Sequence, residues 1–180
     1  NAFASDDPAG TPLLRHAIGG LRATLADGMA IFAPHANSYR RFRAMSYAPV
    51  APTWGANNRS VSLRVPTGPA ASRHVEHRVA GADANPYLVA ALVLGGMRHG
   101  IEHGIDPGPP VVGNGYEQAS RGDLPEDWRA ALERAAPSEF LADALGAEFL
   151  GVFLALKRRE HEKFCALVSD RDYEWYLDST

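Results

Sequence analysis

Leu14, Ile18, Leu21 and Leu25 recur at intervals of three or four, which predicts a helix with one apolar face. Thr11 suits its N-cap and Pro12 its first turn. A second apolar patch, Met29 to Phe32, leads into the polar run Ala33-Pro34-His35-Ala36-Asn37-Ser38-Tyr39-Arg40-Arg41-Phe42. The period then changes to two. Strands are expected at roughly Ser60–Val65 and Arg73–Val79, and the connector 67–72, with Gly68 and Pro69, makes an antiparallel pair the simplest reading. Asn85-Pro86 opens a helix to about His99, with Leu88, Ala91, Leu92 and Leu94 as its buried body. Residues 106–123 read as a surface loop. Leu124-Pro125-Glu126 begins a helical region ending near Gly146. Glu148 to Val168 reads as a long amphipathic helix with Phe149, Val152, Phe153, Leu156 and Phe164 inward and Lys157 to Lys163 outward.

The 180 residues are enough for one domain with a real core. A formal net charge of −3 argues against general nucleic-acid binding. The single cysteine, Cys165, excludes an internal disulfide and fits a reducing, cytoplasmic setting; it is expected to be an inert packed thiol. No apolar run reaches the roughly 20 residues that a membrane span needs. The chain begins at Asn1 and soon enters a loop-like run, Asp6-Asp7-Pro8-Ala9-Gly10, so it is expected to be part of a longer protein.

The densest chemistry lies in Arg73-His74-Val75-Glu76-His77-Arg78. Strand alternation sends His74, Glu76 and Arg78 to one face and Arg73, Val75, His77 and Val79 to the other. An acid between bases, with more arginine upstream in Asn58-Arg59-Ser60-Val61-Ser62-Leu63-Arg64-Val65-Pro66, points to a site that handles phosphate and metal. The same alternation separates His74 from His77, which argues against a joint histidine metal site. His99 and His103, one helical turn apart, read as a solvated helix end.

Four ordered motifs within about fifty residues resemble the glutamine synthetase superfamily: Asn37-Ser38-Tyr39-Arg40-Arg41, Asn58-Arg59-Ser60 with Arg64-Val65-Pro66, Val75-Glu76-x-Arg78, and Asn85-Pro86-Tyr87-Leu88. Further stretches look like its γ-glutamylpolyamine synthetase branch. They are His77 to Asn85, Ile101-Glu102-His103-Gly104-Ile105-Asp106-Pro107-Gly108, Leu124-Pro125-x-Asp127-Trp128 and Tyr173-x-Trp175-Tyr176-Leu177.

The resemblance implies an α+β fold with an antiparallel active-site sheet flanked by helices, and residues 1–180 as the C-terminal portion of the catalytic domain. It implies ATP and Mg²⁺ or Mn²⁺ as cofactors, glutamate and an amine as substrates, and a ring-shaped homo-oligomer such as a dodecamer. ATP would phosphorylate the glutamate side-chain carboxylate, and the amine would displace the phosphate. Arginine forks suit the charge on a phosphoryl group in flight, and metals bridging phosphates need carboxylate ligands. Carried over by motif, Arg41 would bind glutamate, Arg59 would stabilise the transferring phosphoryl group, and Arg64 would contact ATP. Glu76 would be a metal ligand, and Arg78 would hold the reacting carboxylate or its phosphate.

The chain also departs from the family pattern. His74 stands where many members have an arginine that contacts nucleotide, so the ATP contact there rests on a shorter, mostly neutral imidazole. In Met45-Ser46-Tyr47-Ala48-Pro49, Tyr47 stands where ammonia-using members carry a flap glutamate that helps bind and deprotonate ammonium. A phenol offers no carboxylate to a small cation, so a larger amine is expected. The family's other metal glutamates and its N-terminal domain do not appear, and one carboxylate is too few for a metal cluster. The isolated segment is therefore expected to lack ligase activity. The competing expectations are an ammonia-using glutamine synthetase and a non-catalytic scaffold or nitrogen sensor. Tyr116 reads as an unmodified loop tyrosine, and Trp175 and Tyr176 as residues that pack on the core or on a neighbouring subunit.

Overall fold

The computed structural model describes residues 1–7, 10–118 and 123–177. Residues 8–9 of the expected N-terminal loop, and residues 119–122 of the expected loop at 106–123, lie outside the described residues. The elements run α1 (Pro12–Thr24), α2 (Met29–Phe32), α3 (Ala36–Tyr39), β1 (Trp54–Ala56), β2 (Leu63–Val65), β3 (Glu76–His77), α4 (Pro86–Glu102), α5 (Trp128–Ala135), α6 (Glu139–Leu145), α7 (Ala147–Cys165) and α8 (Asp170–Tyr176).

Local chemistry sets the helix starts. The Thr11 hydroxyl accepts from the Leu14 N–H, and the Asn85 side chain accepts from the Tyr87 and Leu88 N–H groups, with proline in the first turn in both cases. Asp127 and Ser138 cap α5 and α6 in the same way. The helical region expected from Leu124 to Gly146 is therefore two helices.

α1 and α4 pack through glycine. A Cβ added at Gly20 would overlap the Gly96 carbonyl and the Gly100 backbone, and one added at Gly100 would overlap the His16 carbonyl. The buried stripe of α4 is Leu92, Gly96 and Gly100. Leu94, expected inside, is exposed because this stripe, not the larger side chains, faces α1. The α1 side chains Leu14, Ile18 and Leu21 then pack on Trp54, Leu63 and Val65 of the sheet.

The expected antiparallel pair forms, with Leu63 opposite His77 and Arg64 opposite Glu76. A third strand makes the sheet mixed: β1 pairs with β2 in parallel, Trp54 opposite Leu63 and Ala56 opposite Val65. The return between parallel neighbours takes only residues 57–62, much shorter than a usual crossover. Two corrections concern the C-terminal helices. The core side of α7 is Leu150 and Leu154, whereas Phe149, Val152, Leu156 and Phe164 are exposed. That helix is apolar on two sides, so periodicity alone does not say which side meets the core. Cys165 is exposed rather than packed, 3.6 Å from the His161 ring, and Trp175 and Tyr176 do not pack on this chain's core.

Candidate active site

The β2–β3 register brings Arg64 beside Glu76, and strand alternation brings Arg78 to the same face. Glu76 Oε2 accepts from Arg64 Nη1 at 2.7 Å, and Oε1 accepts from Arg78 Nη1 at 2.7 Å. Desolvation pushes the Glu76 carboxyl upward, but the hydrogen bonds and charges of Arg64 and Arg78 outweigh it and hold the group below the usual carboxylate range. Glu76 is thus an anion between two cations at ordinary pH.

Arg78 is the hub. Its Nη2 donates to the Arg59 carbonyl at 2.9 Å and to the Tyr47 carbonyl at 3.0 Å. Its side chain joins β3, the short return after β1 and the loop carrying Tyr47. Met45 and Tyr47 both have positive φ, 63° and 58°, uncommon for residues with a Cβ. Ser46 pins this bend by donating to the Arg43 carbonyl at 2.6 Å and accepting from the Ala48 N–H. The Tyr47 main chain therefore touches the cluster while its ring is exposed.

Arg59 is held at its flanks. Asn58 donates to the Gly113 carbonyl at 2.9 Å and accepts from the Ser60 N–H and hydroxyl, and Ser60 Oγ accepts from the Gly115 N–H at 2.7 Å. Asn57, at φ 48°, accepts from Arg64 Nη2 at 2.6 Å. Arg59 is exposed, and its guanidinium has no hydrogen-bond or ion-pair partner among the described residues. Arg59 and Arg64 line one cleft of about 590 Å³ together with Asn58 and Val111. Asn57, which lies outside the quoted motifs, and Asn58 and Ser60, which lie within one but carry no role there, position this segment. The doubled asparagine before Arg59 was the available signal.

Arg41 lies on the other side of β3. It donates through Nη2 to the Val79 carbonyl and lies over the Phe42 ring, 4.1 Å from its centroid. It lines a second cleft of about 600 Å³ with Arg40, Arg43, Ser38 and Asp83. His77 turns away from Glu76, as alternation requires, and sits 4.5 Å from the Phe32 ring centroid. Its Nε2 is closed off from solvent without a partner, while Nδ1 accepts from the Ala80 N–H at 3.4 Å. Burial, helped by the Arg41 charge, lowers the His77 pKa to about 4.

His74 is not brought into this cluster. β3 begins two residues after it, and the exposed His74 ring donates through Nδ1 to the Ser72 carbonyl at 2.7 Å. Five residues singled out by sequence (Arg59, Arg64, Glu76, Arg78 and Tyr47) therefore adjoin one another, Arg41 opens the neighbouring cleft, and His74 stands apart. As for a divalent metal, no group of three or more His, Cys, Asp or Glu side chains able to hold one occurs among the described residues. Glu76 fits as one hard oxygen donor, both of its oxygens now held by arginines. A complete shell would require further carboxylates from outside the described residues.

Comparison with known proteins gives the family. Residues 1–176 match the family model described as glutamine synthetase, catalytic domain. The γ-glutamylputrescine synthetase of Escherichia coli is 38% identical over 177 residues, covering 98% of this chain and 37% of that protein. The γ-glutamylethanolamide synthetase of Streptomyces coelicolor is 38% identical over 159 residues, covering 88% and 34%. A solved structure described as GmaS without ligand superposes with a TM-score of 0.83 at 30% identity, covering 98% of this chain and 41% of that one. The chain thus spans well under half the length of the proteins it matches. By its sequence and its fold, it belongs to the glutamine synthetase catalytic-domain family.

Proposed function

We propose that this chain is the C-terminal portion of the catalytic domain of an ATP-dependent ligase that joins a primary amine larger than ammonium to the γ-carboxylate of glutamate. The observation that carries the choice of amine is Tyr47. The loop bearing it is bonded through its main chain to Arg78, so at position 47 the loop brings a phenol, and not a carboxylate, near the residue read as holding the reacting group. The names of the two relatives, which specify putrescine and ethanolamine products, support the same reading.

In this reading Arg41 binds the glutamate substrate through a carboxylate. Arg64 meets the ATP phosphates and Arg59 the phosphoryl group in transfer; an exposed guanidinium without a partner among the described residues supports that role. Arg78 holds the activated carboxylate against the Tyr47 loop. Glu76 bonds both Arg64 and Arg78 and would supply one oxygen to a divalent cation, whose chemistry is to neutralise phosphate charge. The remaining ligands, the amine pocket and a ring-shaped cytoplasmic homo-oligomer belong to the full-length protein. His74 is assigned to the nucleotide side.

The test is phosphate release by the full-length protein with ATP, Mg²⁺, glutamate and a panel of amines. Release that requires putrescine, ethanolamine or a monoamine supports the ligase. Release with ammonium alone makes the protein a glutamine synthetase. Absence of release with every amine points to a non-catalytic member.

A further inference from the structure

Arg41 is a half-buried cation with little to fix it. Its Nε is closed off without a partner, and the hydrogen bond it donates goes to a main-chain carbonyl, that of Val79. Burial lowers its pKa from the ordinary guanidinium value, and the charge of Asp83 is the first influence that opposes this. Asp83 is itself oriented. Ser38, 3% exposed, donates its hydroxyl to Asp83 Oδ2 at 2.5 Å and accepts the His35 N–H at 3.2 Å. The other oxygen, Oδ1, faces Gly81. A Cβ added there would overlap Asp83 Oδ1 and lie 3.4 Å from Arg41 Nη2, so the missing side chain of Gly81 leaves open the gap across which carboxylate and guanidinium face each other without direct contact. Gly81 is anchored by its N–H on the Phe32 carbonyl at 2.9 Å, and the Ala84 N–H closes the turn on the Gly81 carbonyl.

We propose that Ser38 and Asp83 are positioning residues that aim Arg41 into its cleft, and that Gly81 is the gap they act across. The inference rests on the reading of Arg41 as the residue that takes the glutamate substrate. Asp83 is exposed, so its attraction for Arg41 adds little to stability. The consequence is one of direction: the guanidinium donates to the Val79 carbonyl, feels the Asp83 charge across Gly81, and lines the cleft. Arg40 and Arg43 line the same cleft and would compete for a carboxylate if Arg41 were free to swing.

The experiment compares full-length wild type with Asp83→Asn, Ser38→Ala and Gly81→Ala, by steady-state kinetics, thermal unfolding and crystal structures of wild type and Asp83→Asn. Asp83→Asn keeps an oxygen for the Ser38 hydroxyl and removes only the charge. The expected result is a KM for glutamate raised about 10-fold with kcat and the KM for ATP within about twofold, an unchanged Tm, and Arg41 displaced from the Val79 carbonyl. Ser38→Ala and Gly81→Ala should move the glutamate KM in the same direction. An unchanged glutamate KM with Arg41 in place overturns the proposal while leaving the ligase reading intact. Wild type without glutamate-dependent turnover overturns the ligase reading instead. The crystal structures then decide the positioning role alone: a displaced Arg41 supports it and an unmoved one overturns it.

Discussion

Arg78 Nη1 lies 2.7 Å from Glu76 Oε1, and the other terminal nitrogen of Arg78 holds the carbonyls of Tyr47 and Arg59. One guanidinium therefore links an acid on β3 to the two segments expected to meet the amine and the phosphate. Arg78 follows β3 directly, two positions after Glu76, while Arg64 reaches Glu76 from the neighbouring strand.

Replacing Glu76 with Gln leaves Arg64 and Arg78 facing each other without the anion between them. The full-length protein should lose about 100-fold or more in ligation rate. The Glu76 side chain is 37% exposed, so the stability cost should be modest, about 1 kcal/mol. Because the folded-state pKa of Glu76 is depressed, its contribution is full above the unfolded value of about 4.3 and fades as pH falls through the lower folded value. Urea unfolding of both proteins should show a gap at pH 7 that closes in acid. A gap that persists undiminished in acid would contradict the ion-pair account.

His77 acts in a higher window. Its folded pKa is about 4 and its unfolded value about 6.5, so the unfolded chain binds more protons between those limits. Its neutral form leaves stability intact above pH 6.5, and stability falls as pH drops toward 4, by at most about 3 kcal/mol. His77→Phe keeps a ring against Phe32 and removes the titration. Its stability should be nearly flat from pH 6.5 to 4.5, where wild type slopes; matching slopes would show that another group is responsible.

Gly100→Ala separates two opposing effects. Helix propensity alone would favour alanine by about 1 kcal/mol. The added Cβ, however, would strike the His16 carbonyl and the Gly20 backbone of α1, and backbone cannot give way cheaply. A net loss of about 2–4 kcal/mol is expected in denaturant unfolding. A gain in stability would mean that α1 and α4 pack less closely than described.

Tyr47→Glu should restore a carboxylate to the exposed loop position. The full-length variant is expected to gain ammonium-dependent phosphate release, about 10-fold over wild type, and to lose rate with larger amines. Equal amine preferences before and after the change would remove Tyr47 from the choice of nucleophile.

Much of this was legible in the residues. Thr11-Pro12 and Asn85-Pro86 announce their helices because capping is local chemistry. Alternation put Glu76 and Arg78 on one face because a strand has no other option. β1 was hidden: Trp54-Gly55-Ala56 is three residues long with a glycine at its centre, and it is stabilised by a pairing that no local pattern records. The orientations of α4 and α7 were also hidden. The glycine stripe of α4 and the Leu150–Leu154 side of α7 carry no more apolar signal than the sides that face outward. The Ser38–Asp83–Gly81 arrangement joins residues more than forty positions apart and became visible only with the turn that holds them.

The most direct measurement of the central claim is a competition: full-length protein with ATP, Mg²⁺, glutamate and equal concentrations of ammonium and putrescine or ethanolamine, with products identified by mass. The account predicts that the γ-glutamyl amide of the larger amine dominates and that glutamine is minor. Glutamine as the sole product would contradict it.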